Sequence, residues 1–105
     1  MNEPSALELD FHKAMLTIYH DAKQKCNYNA TYFLQMVANE GGIKTARNLL
    51  ATSEPSDGFT ALWECGRLDL TVENLVLKPK YRMLFSPEEI IIAKERLNAY
   101  GYKVE

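Results

Sequence analysis

The sequence predicts an all-α fold: a single domain built as an irregular orthogonal bundle of five or six short helices. Three observations carry this reading. Apolar residues recur at three- and four-residue spacing along most of the chain. Helix-start signals at Ser5, Thr71 and Ser86-Pro87-Glu88-Glu89 stand ahead of those stretches. Gly41-Gly42, Pro55, Gly66, Pro79 and Gly101 cut the chain into segments joined by tight turns. The 105 residues fit one domain over 1–105, with residues 1–4 expected to be disordered. Apolar residues make up 47% and charged residues 25%, which excludes disorder across the chain.

Ser5 is placed to cap a first helix running to about Lys25, with Leu7, Phe11, Ala14, Met15, Ile18 and Ala22 on one stripe. Asn27-Tyr28-Asn29 interrupts it, and Asn29 reads as the cap of a second helix carrying Phe33, Leu34 and Val37 inward. Gly41-Gly42 ends that helix, because glycine tolerates the left-handed turn after a C-terminus. A third helix follows with Ile43, Ala46, Leu49 and Leu50 on one face. After the polar turn 52–57, a short helix from about Phe59 to Cys65 presents Phe59, Leu62 and Trp63. Thr71 caps the next helix, which Pro79 ends. Residues 78–85 form a turn or short helix. Ser86, Pro87 and Glu89 then supply a cap, a proline at the first helical position and a capping-box acid for a last helix to about Tyr100. Ile90-Ile91-Ile92 and residues 68–72 favour strands by composition, but the strong caps and the lack of a partner strand make both helix or loop.

Several function classes are disfavoured by composition. A formal charge of −2 argues against a general polyanion binder, though a local basic face remains open. No run approaches the roughly 18 apolar residues of a membrane helix, so no membrane association is expected. The acidic start MNEPSALELD lacks the core of a secretory signal, and the expected compartment is the cytoplasm. Cys26 and Cys65 form no CxxC pair, so neither zinc nor redox chemistry is read from them; each is expected as a small core or boundary residue in a reducing cytosol. His12 and His20 lie eight apart, not at ligand spacing. No metal, cofactor or catalytic set is assigned.

The densest run of unusual residues is Ser56 to Glu73, SDGFTALWECGRLDLTVE. Arg67, Asp69 and Glu73 could line a cleft as a cation with two carboxylates, which is a raw material of acid–base chemistry. The structural reading is preferred. Asp69 precedes a helix start, where negative charge is favoured, and Arg67 can pair with Asp69, Glu73 or a carbonyl. Asp57 reads as a turn or cap residue, with Ser56 able to share the cap. Trp63 reads as a core anchor, with stacking on a partner as the alternative. A second group is basic. Lys44, Thr45 and Arg47 follow Gly41-Gly42 at a helix start, where free N–H groups attract phosphate. The same stretch suggests a helix-turn-helix offering Lys44, Arg47 and Asn48 to DNA, against which a plain helical hairpin is preferred. Lys78, Lys80 and Arg82 form a basic cluster around Tyr81 that suits nucleic acid or an acidic partner.

The strings YNATYFLQMV, GGIKTARNLL, SDGFTALWECGRLDLTVENLVL and LFSPEEIIIAKERLNAYGY resemble a small bacterial helical domain with no established activity. That domain occurs free-standing and as a tail on larger proteins of nuclease or restriction type. The likeness spans residues 11–102. It implies that Gly41, Gly42, Thr45, Asp57, Gly58, Trp63, Arg67, Asp69 and Glu73 belong to a common pattern. The expectation is therefore a non-enzymatic interaction or accessory module with an unidentified protein partner, using Asp57, Trp63, Arg67, Asp69 and Glu73. The alternatives are a nucleic-acid-binding accessory domain and a small hydrolase or lyase using Asp69, Glu73 and Arg67.

Overall fold

The computed structural model describes residues 5–104, and the expectation for residues 1–4 lies outside them. The described residues form six α-helices: α1 (Ala6–Cys26), α2 (Thr31–Glu40), α3 (Gly42–Ala51), α4 (Asp57–Glu64), α5 (Val72–Val76) and α6 (Pro87–Ala99). Two 3-10 turns, Leu68–Leu70 and Arg82–Leu84, flank α5. No strand is present among the described residues. The strand-favouring run at 68–72 becomes a 3-10 turn and a helix start, and Ile90–Ile92 lies inside α6.

The helix starts follow local chemistry. Ser5 and Glu8 form a capping box at α1, and Ser86 and Glu89 form another at α6, with Pro87 in the first turn. Ser56 Oγ accepts from the Phe59 amide at α4, leaving Asp57 in the first turn rather than at the cap. Thr71 Oγ1 accepts from the Asn74 amide at α5 and donates to the Leu68 carbonyl. Asn29 does not cap α2. The Tyr19 hydroxyl donates to its side-chain oxygen, and Ala30 stands at the cap position without a side-chain bond.

Phe11 and Met15 of α1 sit at the centre of the core with Val37, Ala46, Leu50, Val76, Ala93 and Leu97. Phe11 meets the rings of Tyr81 and Phe85 edge-on at 5.1 and 5.3 Å. Helix α1 packs on α2 and α3, and α6 closes the bundle against α3 and α5. The α1–α3 approach is close because Gly41 adopts φ 90°, turning the chain sharply from α2 into α3. A Cβ on Gly42 would stand 2.9 Å from the His12 Cα, so only glycine fits there. The Gly42 amide, one of the unpaired donors of a helix start, donates to His12 Nδ1 at 3.1 Å.

Two expectations are corrected. Cys26 and Cys65 are not separate thiols: a disulfide joins them, with Cα atoms 5.8 Å apart, tying the end of α1 to the end of α4. A separation of 39 residues hid the pair, since nothing local marks two cysteines that meet only in three dimensions. Trp63 is not a core anchor. It is 45% exposed, because α4 buries Phe59 and Leu62 and leaves position 63 at the rim of its apolar face.

Candidate functional site

The Arg67 corner is built by the 3-10 turn after α4. That turn brings Asp69 back to Arg67, whose Nε and Nη2 donate to the two carboxylate oxygens at 2.9 and 3.0 Å. Arg67 holds the Asp69 carboxyl below its usual range, against a smaller opposing effect of burial. The Asp69 carbonyl also accepts from Asn74 Nδ2. Both charged groups are more than a third exposed, so their pairing fixes a corner more than it adds stability.

Glu73 belongs elsewhere. Its side chain is 4% exposed and pairs with Arg96 of α6, Nη1 to Oε2 at 3.0 Å. Burial pushes its carboxyl above the ordinary carboxylate range, and the hydrogen bond from Arg96 only partly offsets that. Arg96 also donates to the Leu49 carbonyl at 3.1 Å and the Thr52 carbonyl at 2.8 Å, serving the open end of α3. One guanidinium therefore joins α3, α5 and α6. Sequence reasoning missed Arg96, although it sits beside Ile92 and Ala93 on the inward face of its helix. The three groups of the hydrolase reading thus do not share a site. Glu73 lines a large cleft, Asp69 lines a separate recess of about 280 Å³, and Arg67 lines neither.

The basic candidates are mostly engaged. Thr45 is fully buried, and its hydroxyl has no hydrogen-bond partner among the described residues. Arg47 donates to the Leu84 carbonyl at 2.9 Å, lies 3.4 Å from Glu89, and covers the Phe85 ring. Asn48 donates to Glu40 at 2.6 Å. Arg82 Nε donates to the Leu77 carbonyl at 2.7 Å. Lys80 stands 3.1 Å from Asp10, which also accepts from the Tyr81 hydroxyl at 2.6 Å. Those two partners hold the Asp10 carboxyl below its ordinary range, Tyr81 contributing most. Lys44 and Lys78 are exposed and have no ion-pair partner among the described residues. Of the amides at the start of α3, where the sequence suggests a phosphate, that of Gly42 donates to His12 Nδ1.

Two surface features remain. One is aromatic: Trp63 meets Tyr100 edge-on at 5.3 Å, and Tyr100 meets Phe59 at 5.0 Å. This stack stands on α4 and the end of α6, and Arg67 and Asp69 follow directly from α4. The other is a cleft of about 550 Å³ walled by α2, α3 and α4 and floored by the start of α5. Its lining includes Tyr28, Tyr32, Phe33, Met36, Leu49 and Phe59. Asp57 stands on the wall of the cleft, on α4 but apart from Trp63. Nothing local in the sequence marks this cleft, because residues of α1, α2, α3, α4 and α5 come together to form it. Comparison of the chain with protein-family models, curated proteins and solved structures gives no match.

Proposed function

We propose that the chain is a non-enzymatic protein-interaction module of a bacterial protein, docking through the corner formed by Trp63, Tyr100 and the Arg67–Asp69 pair. The exposure of Trp63 carries this reading. Trp63 is 45% exposed, and tryptophan and arginine are enriched where binding energy concentrates. The platform is braced within the fold: Tyr100 buttresses the indole, and the Arg67 amide donates to the Leu62 carbonyl at the end of α4. A partner with an apolar recess for the indole and a polar rim for the ion pair suits this face.

The test is a photo-crosslinking amino acid placed at position 63 in the native cell, with position 44 as control. A discrete adduct at 63, absent at 44 and lost on Arg67→Ala, supports the reading. Equal labelling at both positions, or adducts indifferent to Arg67, overturns it.

The proposed compartment is the cytoplasm. No helix among the described residues is long and apolar enough to cross a membrane. The disulfide pulls the other way, because cytosolic thiol systems keep most cysteine pairs reduced. Alkylation of thiols at the moment of lysis decides between them. Modified Cys26 and Cys65 support a cytoplasmic site, and an intact bond supports an oxidising one.

A further inference from the structure

The cleft between α2, α3 and α4 has a chemical character that the Trp63 corner lacks. Four aromatic rings line it: Tyr28, Tyr32, Phe33 and Phe59. Glu54, Asp57 and Glu73 are among its lining residues, and no lysine or arginine is. Glu73 has Arg96 as a partner, but Glu54 and Asp57 have no cation within ion-pair distance among the described residues. The volume of about 550 Å³ falls inside the range of small-molecule sites, roughly 300–1,000 Å³.

We propose that this cleft binds a small organic cation: an ammonium head on an apolar or aromatic body. The body is held by Met36, Leu49 and the ring walls. The head is attracted by the negative faces of the aromatic rings and by the unpaired carboxylates of Glu54 and Asp57. Arg96, which contacts the lining residues Leu49, Thr52 and Glu73, is already paired with Glu73, so an anionic ligand of the same shape meets the carboxylates of Glu54 and Asp57 unfavourably. The cleft and the protein-docking corner share Phe59, which lines the one and packs on Tyr100 of the other, but the small-ligand reading does not rest on the docking reading.

The test uses the intact purified chain with three probes of similar size: phenethylammonium, 2-phenylethanol and 3-phenylpropionate. Each is titrated while backbone amide shifts are followed. The expected result is saturable binding of the ammonium, with shifts centred on Tyr32, Met36, Asn48, Leu49 and Gly58. The ammonium should bind about tenfold more tightly than the alcohol, and 3-phenylpropionate should not saturate. Asp57→Asn, a surface change, should weaken the ammonium by about threefold or more and leave the alcohol unaffected. Tyr32→Leu, at a residue 75% exposed, should weaken the ammonium by about two- to fivefold. Equal affinity for ammonium and alcohol, shifts centred on Trp63 and Tyr100, absence of saturation, or two variants that bind like the parent each overturn the proposal.

Discussion

Replacing Arg96 with methionine removes a charge while keeping most of the buried aliphatic stem. The Glu73 carboxyl, 4% exposed, then has no cation beside it, and the Leu49 and Thr52 carbonyls lose a shared donor. Removing one partner of a buried ion pair costs about 3–5 kcal/mol, because the other charge stays out of water uncompensated. Unfolding entropy runs at about 2.1 cal/mol/K per residue, or roughly 0.22 kcal/mol/K for a chain of this length. The Tm should therefore fall by roughly 14–23 °C, measured by circular dichroism, with the urea m-value unchanged. The double variant Arg96→Met, Glu73→Met removes both charges at once. It should recover at least about 2 kcal/mol relative to Arg96→Met alone. A loss under about 4 °C for the single variant, or strictly additive losses in the double, would refute the claim that this pair is buried and mutually dependent.

Four further outcomes follow from other parts of the fold. Glu73 has a carboxyl raised by burial, so its contribution to stability is fully present below its unfolded value and is lost as pH rises through its folded value. Wild type should thus gain on Glu73→Gln as pH falls from 7 to 4, read as the difference in Tm between the two proteins. Thr45→Val removes a fully buried hydroxyl without a partner, and should stabilise the fold by about 1 kcal/mol in urea titrations. Gly42→Ala would ordinarily favour a helix, but here the methyl meets the α1 backbone. It should destabilise by about 1–3 kcal/mol, and a gain in Tm would contradict the close α1–α3 approach. Reducing the Cys26–Cys65 bond opens a loop of about 40 residues and should lower stability by up to about 4 kcal/mol, measured with and without reductant.

The parts of the fold legible in the sequence are those settled within a few residues. Ser5, Thr71 and Ser86 each bond an amide three positions on, and the residues involved announce it. The stripe Phe11, Met15 and Ala22 likewise shows its burial through its period alone. What stayed hidden joins distant segments: His12 with Gly42, Glu73 with Arg96, Arg47 with Leu84. Asn29 is not the cap because α2 starts one residue later, with Ala30 at the cap position, and the Asn29 side-chain oxygen accepts from Tyr19 of α1. At the candidate site the sequence offers Arg67 a partner in Asp69, Glu73 or a carbonyl; Asp69, two positions on, is the one it takes, and Glu73 pairs with the more distant Arg96. The aromatic and acidic cleft had no local signature at all.

The disulfide has a mechanical consequence for that cleft. Every lining residue from Tyr28 to Leu62 lies inside the covalent ring closed by Cys26 and Cys65. While the ring is intact, α2, α3 and α4 can part only as a tethered clamshell, with both feet held at one point of the bundle. Cutting the tether removes that constraint from the three helices that wall the hollow.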